Sequence, residues 1–499
     1  SNGAGSGAAI VDAFTNISVP SLSTSTAGTS NLRLGVNAGD AIASGGNYNV
    51  AVGDEAGTAL TTGDGNVAIG FEALSTEDAN GESTAVGYRA LKTQNAGAAA
   101  HNTAIGYDAG VNVTTGIENV ISGSRAGDAL TSGSNNVAVG NQSLSGDTAG
   151  NHSVAVGHGA LFAQNFSTAT DSHNTAVGYI AGLSVTTGIK NTLIGGIAGD
   201  AITDADENVA IGYAALSTNI LGGRSVAIGA AALFAQNPAT AGNMLNVAVG
   251  YDAGNQVTTG TENTLIGAQA GDALTTGYTN VAVGVNSLGT EVAGRKNVAI
   301  GYDALSTQNN DADTFNTAVG YDAGKAVTTG TANTLIGALA GDALTNADDN
   351  VALGVGALGS DTLGSHSVAL GKDALESQNF TTATDSNNTA VGYQAGLRVT
   401  TGVRNTLIGA LAGDALTDAD FNVAVGNLAL TADTLGSRSV AVGMNALQGQ
   451  NFTTATDSNN TAVGHNAGAE VTTGVFNTLI GGEAGDALTD ADNNVALGY

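Results

Sequence analysis

Apolar and polar positions follow one short pattern that recurs along the chain. The pattern is Asn, then Val or Thr, Ala, Val or Ile, and Gly, as in Asn246-Val247-Ala248-Val249-Gly250, and with close variants it occurs in 27 places. Within a group of four copies the glycine returns at every seventeenth residue, with one interval a residue longer, and the interval between groups is slightly longer still. A fixed short period over a whole chain is typical of a solenoid in which each repeat forms one coil.

Each repeat predicts a short strand that ends in a turn. Side chains alternate between the two faces of a strand, so Val247 and Val249 share one face and Ala248 takes the other. We assign the two valines to the coil interior, and we expect a second short strand near Val257-Thr258-Thr259. Seventeen residues are too few for a strand with a helical crossover. The sequence therefore predicts an all-β protein, a parallel β-solenoid of about 27 coils.

A longer period lies above the coil. Only the fourth coil of a group carries extra residues, and the full groups begin at nearly even intervals, at Gly106, Gly178, Gly250, Gly320 and Gly392. We therefore interpret four coils as a super-repeat within a repetitive shaft that spans residues 31–499. Residues 1–30 break the pattern and are predicted to form an N-terminal cap or connecting segment. Because the chain ends in the middle of a coil, we expect the shaft to continue beyond residue 499.

The middle residue of the motif suggests a partner for the coil. It is Ala or a larger aliphatic residue in 26 of the 27 copies, and Arg33 is the exception. A strand that is apolar on both faces is usually buried on both faces. We therefore expect the face that carries the middle residue to contact another copy of the chain. The largest residues at this position are the candidates for that contact: Leu193, Leu265, Leu335, Leu407 and Leu479.

The motif, with its Thr-Thr-Gly turns such as Thr258-Thr259-Gly260, resembles two known groups of repeats. It is similar to the YadA-like head repeats of trimeric autotransporter adhesins and to related repeats of bacteriophage tail fibre proteins, especially marine ones. The resemblance covers residues 31–499 and implies a left-handed parallel β-roll assembled as a parallel homotrimer. The autotransporter repeat is usually shorter than this one, and the difference favours the phage-fibre side.

Charge and composition exclude several classes of function. The 13 Lys and Arg residues face 43 Asp and Glu residues, which gives a net charge of −30. This sign is wrong for phosphate backbones, so no nucleic-acid partner is predicted. The chain has no Cys, and none of its segments has the roughly 18 consecutive apolar residues typical of a membrane span. We therefore predict neither thiol-based metal sites nor membrane insertion of this chain.

Candidate chemistry is sparse and mostly repeats with the coil. Tyr follows the motif glycine nine times and is interpreted as a coil-edge residue, with a sugar-stacking stripe as the alternative. The recurring Asp of the Ala-Gly-Asp turns is interpreted as a turn residue, with Ca²⁺ ligation as the alternative, and the histidines before motif strands are likewise interpreted as turn residues. The irregular fourth-coil insertions are the possible side-binding sites, through Phe166, Phe380 and Phe452.

An enzyme needs a unique cluster of acid, base or nucleophile, and the repeats supply none. No catalytic residue, metal site or cofactor is therefore predicted. The expected function is that of a non-enzymatic structural and adhesive fibre, the shaft of a trimeric virion appendage such as a phage tail fibre, located outside cells. Its expected partners are itself, other fibre or virion structural proteins, and host surface glycans or proteins. The alternative is a bacterial cell-surface trimeric adhesin head, and the distant alternative is a tailspike-like glycan hydrolase.

Overall fold

The computed structural model describes residues 26–499. The predicted cap over residues 1–30 lies outside the described residues as far as residue 25. The described chain is an all-β parallel solenoid of about 27 turns, and residues 26–499 contain no helix. The predicted fold class is confirmed at this level.

The chain divides into two compact units, one ending at His173 and the other running from Asn174 to Tyr499. Within each unit, every coil contributes one three-residue strand to a parallel ladder. In the described part of the first unit these strands are Leu32–Leu34, Val50–Val52, Val67–Ile69, Thr84–Val86, Thr103–Ile105, Val120–Ser122, Val137–Val139 and Val154–Val156. In the second unit they are Thr175–Val177, Thr192–Ile194, Val209–Ile211, Val226–Ile228, Val247–Val249, Thr264–Ile266, Val281–Val283, Val298–Ile300, Thr317–Val319, Thr334–Ile336, Val351–Leu353, Val368–Leu370, Thr389–Val391, Thr406–Ile408, Val423–Val425, Val440–Val442, Thr461–Val463, Thr478–Ile480 and Val495–Leu497.

Successive coils stack in register through backbone and side-chain hydrogen bonds. Leu265 lies beside Ala282, which in turn lies beside Ala299 on the next coil. The buried Asn at the start of most motifs joins the coils: Asn280 N donates to Asn263 Oδ1 at 3.0 Å, and Asn263 Nδ2 donates to Gly277 O at 2.9 Å. Repetition of this side chain therefore satisfies buried backbone groups at the same place in coil after coil.

The coils with the longest insertions add a second, two-residue parallel pair. In the first unit Gly150–Asn151 pairs with Thr170–Asp171. In the second unit the pairs are Gly222–Gly223 with Gly242–Asn243, Gly364–Ser365 with Thr384–Asp385, and Gly436–Ser437 with Thr456–Asp457. The second strand predicted at Val257-Thr258-Thr259 is wrong, because Val257 N donates within a turn to Gly254 O at 3.0 Å.

The strand faces are opposite to the sequence-based assignment. Ala248, the middle residue, is fully buried inside the coil, whereas Val247 and Val249 are only half-buried on the outer side. The interior is narrow, and a β-carbon at Gly254 or Gly271 would lie 2.7 or 2.8 Å from a methyl carbon of Leu265. The middle position of the strand is therefore Ala on most coils, and the β-branched residues on either side of it face outward.

The motif glycine is required by the close stacking of coils. Gly337 has a φ of +135°, and a β-carbon there would lie 2.5 Å from the carbonyl oxygen of Gly354 on the next coil. That atom belongs to the backbone and cannot move aside independently. A side chain is therefore excluded twice, by the positive φ and by the neighbouring coil.

Candidate functional site

The first and third residues of the three-residue strands form a continuous surface in each unit, here called the outward ladder. The first position is Val, Thr or Leu on every described strand, and the third is Val, Ile or Leu except at Ser122. No charged side chain occupies either position on the strands between residues 32 and 497. The charged side chains of the described coils therefore lie at other positions.

The outward ladder is partly open to solvent in the single chain. Ile105, Ile266 and Ile480 are 46%, 39% and 42% exposed, and the flanking residues of most other strands are half-buried. Isolated exposed aliphatic residues are ordinary, but extended apolar surfaces usually mark contact with another molecule. The outward ladder is therefore the candidate functional surface of the fold.

The predicted partner-facing leucines do not lie on this surface. All five have no exposed area in the single chain: Leu193, Leu265, Leu335, Leu407 and Leu479. Leu265 instead fills the space beside Gly254 and Gly271 in the coil interior. The prediction that these leucines face a second chain is wrong, because their coils already bury them.

The predicted side-binding phenylalanines are buried as well. Phe166, Phe380 and Phe452 are only 5 or 6% exposed. The ring of Phe166 lies over Gly150, where a β-carbon would come within 2.9 Å of Phe166 Cδ2. The fourth-coil insertions therefore fold their aromatic rings into the core, and the prediction that these rings offer binding sites is wrong.

Sequence reasoning missed a buried polar network beneath these rings. Asp147 has no exposed area, and it accepts hydrogen bonds from Gln164 Nε2 at 2.6 Å and from the amides of Gly150 and Phe166 at 3.0 and 3.2 Å. Burial raises the pKa of Asp147, and these hydrogen bonds oppose the shift. An acid followed by Gln at the same place on the next coil was the available signal. Comparable buried pairs are Glu77 with Gln94, Glu291 with Gln308, Asp361 with Gln378, and Asp433 with Gln450.

The tyrosines that follow the motif glycine are exposed at the coil edge, as predicted. Phe71, Tyr88 and Tyr107 stack on one another with ring centroids 5.3 and 5.2 Å apart. Their faces are therefore partly occupied by neighbouring rings.

The Ala-Gly-Asp turns pair with the next coil. Asp200 accepts from Ser217 Oγ at 2.6 Å, and Asp128 and Asp414 accept from Ser145 and Thr431. Between residues 26 and 499 these aspartates form no cluster of three potential metal ligands.

Comparison with known proteins gives no family. No protein-family model matches the chain, and none of the curated proteins matches it significantly. Across residues 26–499 no helix is long and apolar enough to cross a membrane. The outward ladder and the repeat itself are therefore the features of this chain that bear on its function.

Proposed function

We propose that this chain is the shaft of a homotrimeric extracellular fibre, a virion appendage of the tail-fibre type, and that it has no enzymatic activity. The observation that carries the proposal is the outward ladder. It is uncharged on every described strand, although the chain carries a net charge of −30. Depletion of charge at the centre of an extended apolar surface is typical of subunit interfaces.

The partner proposed for the outward ladder is the same ladder on two further copies. A repeat of constant spacing matches its own copies coil by coil when the chains run parallel, because every coil then meets its equivalent. The number three and the parallel arrangement come from the resemblance to trimeric fibre and adhesin repeats. Assembly would remove the outward valines and isoleucines from water, at about 25 cal/mol for each Å² of apolar surface.

The four-coil group is proposed as the unit by which the shaft grew. It places one coil with extra residues in each group, and the structure adds short strand pairs at Gly150–Asn151, Gly222–Gly223, Gly364–Ser365 and Gly436–Ser437. These starting points are separated by whole groups of coils in the sequence. Duplication of the group would lengthen the shaft without changing any contact between neighbouring coils.

A shaft needs an inert surface away from its assembly face. A charge of −30 per chain, about −90 for three copies, keeps shafts soluble and mutually repelling. With the insertion phenylalanines buried, recognition of host glycans or proteins is assigned to other parts of the appendage. Other fibre or virion structural proteins are the proposed end-to-end partners.

The proposal predicts both a mass and a binding result for the purified full chain. Light scattering should give three times the chain mass, and the assembly should show no strong binding to host cells or glycan arrays. A stable soluble monomer would contradict the assembly. Strong binding by the chain alone would contradict the shaft assignment in favour of an adhesin head, and release of sugars from a glycan would favour the hydrolase alternative.

A further inference from the structure

One fourth-coil insertion brings two histidines and an aspartate together on the surface of the first unit. The short strand Gly150–Asn151 ends just before His152, and its parallel partner Thr170–Asp171 ends two positions before His173. Asp171 lies directly beside Asn151 in this pair. The pairing therefore aligns His152 with Asp171 and His173, although a whole extended coil separates them in the sequence.

The three side chains are close enough to share one ligand. His152 Nδ1 lies 3.2 Å from Asp171 Oδ1, and the rings of His152 and His173 stack with centroids 5.1 Å apart. One potential ligand atom from each residue lies within 4.8 Å of the others. All three side chains are exposed, so small rotations can bring their ligand atoms closer without disturbing the core.

The backbone beneath the three residues is held in place. Ser153 and Ser172, which follow His152 and Asp171, are buried, and their hydroxyl groups are 2.6 Å apart. Ser172 N donates to Asn151 O at 3.0 Å. His152 and His173 both have positive φ angles, 58° and 50°. The scaffold therefore fixes both histidines on the same side of the coil.

The aspartate is also tied to the neighbouring strand, because Asn151 Nδ2 donates to Asp171 Oδ1 at 3.2 Å. This hydrogen bond helps to hold the carboxylate beside the two histidines.

The same place on other coils does not carry this set. Among residues 26–499, the cluster of His152, Asp171 and His173 is the only one in which three His, Asp or Glu side chains could hold an ion. Equivalent backbone positions therefore recur along the chain, but among the described residues only one of them carries all three potential ligands. The residue pairs at the corresponding places are Glu82 with His101, Arg224 with Leu245, Lys296 with Phe315, His366 with Asn387, and Arg438 with Asn459.

We infer that His152, Asp171 and His173 form a surface site for a late first-row divalent cation, with Zn²⁺ as the representative ion. Two imidazole nitrogens and one carboxylate oxygen are a common ligand set for such ions, and water completes the coordination. The site lies within one chain, so it is independent of the proposed trimer. It also does not depend on the proposed fibre function.

The test is calorimetric titration of the purified full chain with Zn²⁺ at neutral pH. We expect one ion per chain, and His173→Asn should weaken binding at least about tenfold, since even outer-shell partners of a metal are commonly worth 10- to 100-fold. His366→Asn removes a histidine elsewhere and should leave binding unchanged. No saturable binding by the native chain, or equal binding by the His173→Asn variant, would overturn the inference.

A variant that gains a second Zn²⁺ site distinguishes binding by this geometry from nonspecific attraction of cations to an acidic chain. Asn387→His should add a second equivalent of Zn²⁺, because His366 Nδ1 already lies 3.2 Å from Asp385 Oδ1. Asn459→His is the matched control, since Arg438 occupies the place of the first histidine there and Arg438 Nε lies 3.0 Å from Asp457 Oδ1. Two ions for the first variant and one for the second support the inference. An unchanged count in the first, or an added ion in both, would overturn the claim that this geometry builds the site.

Discussion

Two regions of the same three-residue strand, its middle position and its outer positions, are both mostly apolar and yet lie in opposite environments. On the strand Thr264–Ile266, Leu265 has no exposed area, whereas the adjacent Ile266 is 39% exposed. The interior position is Ala on most coils and Leu on a minority, and the outer positions are mostly β-branched. The difference is one of size and shape, because the polarity of the two positions is nearly the same.

The width of the coil interior determines which residues of the strand can face inward. The space between the strand and the opposite turn accepts Ala, and it accepts Leu where a turn offers Gly254 or Gly271. Two valines or isoleucines per coil would overfill this space. The bulky residues therefore face outward, where a wide surface can accept them and where another chain can cover them.

The largest effect is expected when a charged residue is placed at the middle position, compared with the same charge at an outer position. Leu265→Asp places a carboxylate in the coil interior with no partner, which should destabilise the surrounding coils by about 4 kcal/mol or more. Ile266→Asp places the same charge one residue away on the outward ladder, so the coil should remain folded while self-assembly is lost. Circular dichroism during heating and light scattering at low temperature measure the two properties.

The pair of variants distinguishes the two faces of the strand. Loss of structure in the Leu265→Asp chain together with a folded, smaller particle for Ile266→Asp is the expected result. Tyr251→Asp, at a 60% exposed position outside the ladder strands, should affect neither property. If Ile266→Asp assembled like the native chain, the outward ladder would not be the assembly face.

Much of this fold could be predicted from the sequence, because the fixed period of the motif leaves few alternatives. The parallel stacking, the coil number and the glycine turns follow from Asn263, Gly267 and their repeats. The facing of the strand could not be read from polarity, since Leu265 and Ile266 are both aliphatic. The useful signal was side-chain volume. Coils with Leu at the middle position carry Gly four residues after the motif glycine, as at Gly271. Other coils carry Leu at that later position, as at Leu288.

The candidate site was harder to predict than the fold. The sequence shows that the residues of the outward ladder are mostly apolar, and this polarity predicts an interior position for them. The irregular insertion around Phe166 predicts a surface position for its ring. Nothing local in the sequence shows that Phe166 covers the turn at Gly150. The cluster of His152 and His173 could have been found by aligning residues one extended coil apart, since stacked coils place such residues side by side.

Substitutions that change only the volume of interior side chains should have smaller effects on stability. Leu265→Ala should destabilise its coil by about 2–5 kcal/mol, as in other buried leucine truncations, and Gly271→Leu should cost about 1–3 kcal/mol through overpacking against Leu265 and Leu274. The double variant gives the second coil the residues that Ala282 and Leu288 provide on the third. Its cost should fall short of the sum by at least about 1 kcal/mol.

The single and double variants can be compared by native-state hydrogen exchange of residues 263–279, which reports the free energy of local opening. Leu288 adopts a φ of 54°, so a leucine in the left-handed conformation is already accommodated on the third coil. The outcome that contradicts complementary filling is strict additivity of the two single changes. Additivity would mean that the leucine and the glycine do not share one space.

The smallest expected effect concerns the polar part of the interior. Burial raises the pKa of Asp147, so the folded chain holds its proton more tightly than the unfolded chain. At low pH the carboxyl is protonated in both the folded and the unfolded chain, and its raised pKa does not affect the free energy of unfolding. As pH rises from the ordinary Asp pKa through the raised value, the group progressively destabilises the fold. Asp147→Asn should remove this loss and stabilise the coil near neutral pH, by about 1.4 kcal/mol for each tenfold difference in proton affinity between the two states.

Hydrogen exchange of the Gly150 and Phe166 amides at pH 4 and pH 7 measures this effect of Asp147. Asn219, which accepts from Gly222 N at 3.0 Å on the equivalent coil, shows that the turn accepts an amide. Asn219→Asp is the reciprocal control, because it should create the pH dependence that Asp147→Asn removes. Unchanged pH dependence in both variants would mean that this buried carboxyl does not set the stability of its coil, and that the hydrogen bonds to it fully offset its burial.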